Sequence, residues 1–167
     1  MRKFALIVAV ALIAGLTLSA CGKKQGGQAA VQQQAQQIPK PTDPADSKAW
    51  GAYLGQIVQK NMQGMTANQP YAYMVTAGLT DDMKAQNDRQ LQSVQDTVAR
   101  GVLPGNLLAF GGPDSAKTAD LVVAAFKDAK PGSFKDVIIL FIGDKADEQR
   151  VTDALKPTGA TIRFVTM

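Results

Sequence analysis

The feature that most restricts the fold of this chain is the uninterrupted apolar run Val137–Ile142. Its length and its composition of β-branched, other aliphatic and aromatic residues are typical of a β-strand. Because successive side chains of a strand point to opposite faces of a sheet, a strand without polar positions is buried on both faces. Such strands occur inside parallel sheets that are covered by helices. The run therefore predicts an α/β fold with this strand near the centre of the sheet.

The segments around this run alternate between helical and extended patterns. Apolar residues recur at helical spacing in the predicted helices and are more continuous in the predicted strands. The predicted helices are 47–65, 82–100, 115–129 and 146–155, and the predicted strands are 71–76, 106–110, 137–142 and 161–165. Alternation with short turns predicts a small three-layer domain with a mostly parallel sheet of about four strands. We expect an N-terminal helix capped by Ser47 and a flavodoxin-like strand order, 2-1-3-4.

The composition changes abruptly in front of this domain. Residues 21–46 are rich in glutamine, glycine and proline and contain almost no residue that builds a core. Such a segment buries too little apolar surface to offset the entropy lost on ordering, so it is predicted to be a disordered tether. The predicted folded domain is then 47–167.

The first part of the chain carries an export pattern. Two basic residues and an apolar stretch precede the motif Leu18-Ser19-Ala20-Cys21, which contains the only cysteine. This pattern resembles the signal peptide and lipobox of bacterial lipoproteins. The resemblance implies that residues 1–20 are removed and that Cys21 is acylated. It also implies a membrane partner, because several acyl chains together hold a protein stably in a bilayer.

The residue after the lipobox cysteine bears on which membrane carries the anchor. Gly22 stands where an aspartate would resemble an inner-membrane retention signal, so we expect the outer membrane, with the domain facing the periplasm.

The overall charge of +4 does not represent the folded part of the chain, because residues 41–167 carry 13 basic and 14 acidic side chains. A near-neutral domain lacks the electrostatic footprint of a nucleic-acid-binding protein.

Acidic residues follow the predicted strands. In open parallel sheets ligands bind at the carboxyl ends of the strands, and here the turns contain Asp81, Asp114, Ser115 and Asp144. These side chains are candidate ligands for a small molecule or a divalent cation. The alternative is helix capping by Asp82, by Asp114 or Ser115, and by Asp144, and the sequence favours it. We therefore predict no metal site and no cofactor.

One stretch has the form of a phosphate-binding loop. Gly111–Thr118 follows a predicted strand and opens a helix, as the motif G-x-x-x-x-G-K-[ST] does. It departs from the motif at Ala116, where glycine is expected, while Pro113 removes a backbone N–H and Asp114 adds negative charge. We interpret the likeness as coincidental. Since the chain has no histidine and its only cysteine lies in the lipobox, we predict no enzymatic activity.

These observations lead to one functional hypothesis and two alternatives. The leading hypothesis is a membrane-anchored periplasmic lipoprotein whose α/β domain binds another component of the cell envelope in an accessory or scaffold role, and we expect this partner to be a protein. The first alternative is a module that binds a small ligand or a divalent metal at the carboxyl ends of the strands. The weaker alternative is a hydrolase that acts on cell-wall material.

Overall fold

The computed structural model describes residues 38–167; the predicted signal peptide, the lipobox and most of the predicted tether lie outside the described residues. Helices and strands alternate along this part of the chain. The helices are α1 (Ser47–Lys60), α2 (Asp81–Arg100), α3 (Ser115–Phe126) and α4 (Lys145–Leu155), the last followed by a 3-10 turn at Lys156–Thr158. The strands are β1 (Tyr71–Met74), β2 (Leu107–Gly111), β3 (Ile138–Gly143) and β4 (Thr161–Thr166). No helix among the residues 38–167 is long and apolar enough to cross a membrane.

The four strands form one parallel sheet in the order β1-β2-β3-β4. The predicted α/β class is confirmed, and β3 lies in the interior of the sheet, buried at every position. The predicted order 2-1-3-4 is wrong. That order would put β2 at an edge, yet Leu107–Gly111 is buried along its whole length and requires a neighbour on both sides. The edge position falls instead to β1, in which Tyr71 is half exposed.

The two faces of the sheet are covered differently. With consecutive strand order and right-handed crossovers, the three connecting helices α2, α3 and α4 all lie on one face, which we call the crossover face. Its core contains Val94, Leu108, Phe110, Val122, Ile139, Phe141 and Val151. The opposite face, the α1 face, packs Trp50, Leu54 and Val58 of α1 against Leu107, Ala109, Ile138, Leu140 and Ile142 of the central strands.

Helix α1 ends at Lys60, five residues before its predicted end at Met65. Asn61 occupies the C-cap, and its side-chain amide donates to the carbonyl oxygen of Ile57 at 2.8 Å. Arg163 of β4 then binds the carbonyl oxygens of Asn61 and Gln63 at 2.6 and 2.5 Å. These bonds satisfy carbonyl groups that a continued helix would have used, so the chain leaves the helix here.

Residues 38–46, which belong to the predicted tether, pack along α1. The N–H of Ile38 donates to the side-chain oxygen of Gln56 at 2.9 Å, and the indole N–H of Trp50 donates to the carbonyl oxygen of Asp43 at 3.0 Å. The segment therefore runs antiparallel to α1. The predicted cap, Ser47, is instead the first helical residue, because the Asp46 carboxylate accepts from the N–H of Ala49 at 2.9 Å.

Candidate functional site

The carboxyl ends of the strands meet at one edge of the sheet, where the structure has an open cavity of about 430 Å³. The loops after β1, β2 and β3 form its walls, together with Pro44 from the segment in front of α1. Its polar lining residues are Asp114, Ser115, Lys117, Asp144 and Asp147, and its apolar lining includes Ala77, Leu79 and Pro113. The cavity therefore brings together three of the four predicted ligand residues.

The hydroxyl of Ser115 makes two hydrogen bonds inside the fold. It donates to Oδ2 of Asp147 at 2.5 Å and accepts from the backbone N–H of Asp144 at 2.7 Å. Ser115 is only 4% exposed. Its two bonds connect the start of α3 to the start of α4, so this side chain positions one helix against the other.

Asp114 caps α3, as the capping interpretation predicted. Its Oδ1 accepts from the backbone N–H of Lys117 at 3.0 Å, and its Oδ2 accepts from the ammonium group of Lys117 at 2.7 Å. Partial burial acts to raise the pKa of the Asp114 carboxyl, but the hydrogen bonds and the charge of Lys117 outweigh it, and the pKa lies below its ordinary value. The carboxylate is therefore ionised and paired within its own helix turn.

Asp144 and Asp81 differ from Asp114. Asp144 occupies the N-cap position of α4, but its side chain makes no capping hydrogen bond. Asp81 is fully exposed, forms an ion pair with Lys84 at 3.0 Å, and does not line the cavity. Capping of α2 by Asp82 was wrong, because Thr80 takes this role and its Oγ1 accepts from the N–H of Met83 at 3.2 Å.

The predicted residues do not converge into a metal site. Within residues 38–167, no three side chains of the usual metal-ligating acidic, histidine and cysteine types are grouped to hold an ion. Cys21, the predicted lipidation site, lies outside the described residues.

Sequence reasoning missed an ion-pair network beside this cavity. The guanidinium group of Arg150 donates to Asp147 at 2.9 Å, to the carbonyl oxygen of Ala116 at 2.8 Å, and to Asp120 of α3. The hydrogen bond to Asp120 and the contact with Asp147 raise the pKa of Arg150, against the opposing effect of burial. The spacing of Asp147 and Arg150 on a predicted helix was a usable signal. No sequence signal indicated the contact with Asp120, which lies 30 residues away in the chain.

The glycines of the phosphate-loop-like stretch have a packing role. A Cβ atom on Gly112 would lie 2.1 Å from the carbonyl oxygen of Val75, and one on Gly111 would lie 2.8 Å from a methyl group of Leu54. The clash at Gly112 is with backbone, so only glycine fits there, whereas a side chain at Gly111 would require Leu54 to move. Close approach of β2 to its neighbours accounts for these glycines without a bound phosphate.

Comparisons of the chain with protein-family models, with curated proteins and with solved structures found no match.

Proposed function

We propose that this chain is a lipid-anchored protein of the cell envelope whose α/β domain binds another envelope protein without catalysing a reaction. The observation that carries the proposal is the motif Leu18-Ser19-Ala20-Cys21 behind a basic and apolar leader. It resembles the lipobox of bacterial lipoproteins, in which the cysteine receives the acyl chains. Gly22 in place of aspartate favours the periplasmic side of the outer membrane.

The geometry at the carboxyl ends of the strands supports a binding role over a catalytic one. The side chains there that could act as a nucleophile, an acid or a base are hydrogen-bonded to each other: Ser115 to Asp147, and Lys117 to Asp114. These contacts hold the loops and the starts of α3 and α4 in place. A rigid scaffold that presents loops and edges to a partner is the common arrangement of binding modules.

The experiment that tests this proposal has a chemical step and an interaction step. Mass spectrometry of the protein from its native envelope should find acyl chains on Cys21. Crosslinking in intact envelopes should then retain a specific partner with the wild-type chain and with Ser19→Ala, which keeps a small residue in the motif. Cys21→Ala should lose both the acyl chains and the partner. Recovery of only bulk membrane proteins, or an unmodified Cys21, would contradict the proposal.

A second candidate function is small-ligand binding in the cavity of about 430 Å³, where Asp144 lines the wall and its carboxylate is free of any capping bond. Calcium or magnesium should then raise the melting temperature of the protein. Asp144→Asn should abolish the increase, while the matched variant Asp81→Asn, outside the cavity, should preserve it. Absence of an increase with both ions would remove this candidate.

A further inference from the structure

Within residues 38–167, no strand pairs with one side of the β1 backbone. Strand β1 lies at the edge of the sheet, and β2 is its only neighbour among the strands of residues 38–167. The N–H of Val75 donates to the carbonyl oxygen of Gly111 at 2.9 Å, which fixes the alternation of hydrogen bonds along the strand. Tyr71, Tyr73 and Val75 therefore bond to β2, whereas the N–H and C=O groups of Ala72 and Met74 point away from the sheet.

Thr76, two residues after Met74, also has an outward N–H and C=O, and both of these groups are hydrogen-bonded. Its N–H donates to the side-chain oxygen of Asn87 at 2.8 Å, and its carbonyl oxygen accepts from the Asn87 amide nitrogen at 3.0 Å. The side-chain amide thus takes the place of a neighbouring strand at this residue. In the part of the chain that the structure describes, Ala72 and Met74 have no comparable partner on this side. The open edge is therefore confined to Tyr71–Met74, between Pro70 and the Asn87 contact.

A groove of about 240 Å³ lies beside this open edge, between β1 and α1. All of its lining residues are uncharged, and they include Gly51, Leu54, Gly55, Ala72, Met74 and Ile142. A Cβ atom on Gly51 or on Gly55 would meet nothing within 4 Å, so the surface of α1 is recessed here. The groove therefore has room for an additional side chain that enters from beyond β1.

Apart from its short length of four residues, the β1 edge has none of the usual features that protect edge strands from pairing. Charged side chains, prolines and bulges normally block such edges, but Tyr71–Met74 contains no charge and no proline. The opposite edge strand, β4, carries Arg163, which binds back to the end of α1. The unprotected edge is thus the one that borders the apolar groove.

We infer that the β1 edge and the adjoining groove bind an extended peptide segment of a partner protein as a fifth strand of the sheet. The free N–H and C=O groups of Ala72 and Met74 define the occupant as a β-strand, because only an extended backbone satisfies both residues at once. The groove selects an aliphatic side chain on that strand, since burial of a charge among uncharged residues is costly. This inference rests on the proposed binding function and specifies its site and its ligand chemistry.

The probe for this site is a pool of fluorescent acetylated hexapeptides in which threonine alternates with valine, leucine, isoleucine or methionine. The full-length chain in mild detergent should bind members of this pool saturably, as measured by fluorescence anisotropy. The same peptides with N-methyl groups on alternate backbone nitrogens should not bind, because they cannot complete the hydrogen-bonded ladder. No saturable binding by any member up to about 1 mM would overturn the inference.

Two variants locate the binding on the protein. Ala72→Pro removes an outward N–H that the sheet itself does not use, and proline is tolerated at such edge positions. It should weaken peptide binding about threefold or more. Gly55→Leu fills the groove on a helix position that favours leucine over glycine, and should weaken binding about tenfold or more. The control Gln59→Leu, exposed on α1 and outside the groove, should leave binding unchanged.

Other outcomes would overturn the inference in distinguishable ways. Unchanged peptide binding by Gly55→Leu would exclude the groove. A protein that is dimeric by analytical ultracentrifugation and becomes monomeric with Ala72→Pro would make this edge a contact between two copies. In the envelope crosslinking experiment, a partner lost with Cys21→Ala but retained with both Ala72→Pro and Gly55→Leu would preserve the tethered binding function and reject this site.

Discussion

Within residues 38–167, the two faces of the sheet are covered by different numbers of helices, and this difference determines where this part of the chain is open. On the crossover face, α2, α3 and α4 bury Phe110, Ile139 and Phe141 almost completely. On the α1 face, one described helix of 14 residues lies over the central strands and leaves a groove beside β1. Consecutive parallel pairing places every crossover helix on one side. The other side then depends on α1, which precedes the first strand.

The comparison predicts that the same leucine-to-alanine substitution lowers the free energy of unfolding by different amounts on the two faces. Leu108→Ala, on the crossover face, should lower the free energy of unfolding by about 3–4 kcal/mol, because Leu108 is fully buried and a closed cavity remains. Leu54→Ala, on the α1 face, should cost about 2 kcal/mol, because Leu54 already borders the open groove. Urea unfolding of both variants measures the difference. Equal costs would show that the α1 face is as closely packed as the crossover face.

Glycine-to-alanine substitutions sharpen the comparison, because we expect them to change the free energy of unfolding in opposite directions at two positions. Gly112→Ala should destabilise the fold by about 2 kcal/mol or more, because its Cβ would lie 2.1 Å from the carbonyl oxygen of Val75. Gly55→Ala should stabilise it by about 0.5–1 kcal/mol, because the new methyl group enters open space on a helix. Thermal unfolding should show a lower melting temperature for Gly112→Ala and a higher one for Gly55→Ala. A destabilised Gly55→Ala would mean that the groove is filled.

A smaller change in stability is expected at the carboxyl ends of the strands, where Asp114 caps α3. Asp114→Ala should cost about 1 kcal/mol at neutral pH through loss of the α3 cap. Because the pKa of Asp114 is lower in the folded state than in the unfolded chain, its contribution is complete above about pH 4 and is lost as the pH falls through the folded-state pKa. The difference between wild type and Asp114→Ala, measured by urea unfolding across this range, should therefore shrink in acid. A difference independent of pH would contradict the ionic part of the cap.

Several elements of the fold could be predicted from the sequence because their signals are local. The run Val137–Ile142 predicted a doubly buried interior strand, and β3 has this position. The order of the strands could not be predicted from periodicity, because apolar stripes on helices do not tell which face of the sheet they cover. The interior position of β2 was therefore missed, and it follows from the structure, in which Leu107–Gly111 is buried at every position.

The candidate sites divide in the same way. Capping by Asp114 could be predicted because an aspartate directly precedes a helical pattern. The bond between Ser115 and Asp147 could not, since it joins residues 32 positions apart through the packing of α3 on α4. The open edge of β1 also escaped prediction, because it depends on the strand order and on the side-chain amide of Asn87.

The most direct test of an open β1 edge beside the α1-face groove is amide hydrogen exchange of β1, residue by residue, in the full-length chain. The account predicts fast exchange at Ala72 and Met74, whose N–H groups point outward, and slow exchange at Tyr73 and Val75, which bond to β2. Addition of a binding hexapeptide should then slow Ala72 and Met74 and leave Val75 unchanged. Slow exchange at Ala72 in the free protein, equal to that at Tyr73, would mean that the edge is already occupied and would contradict the account.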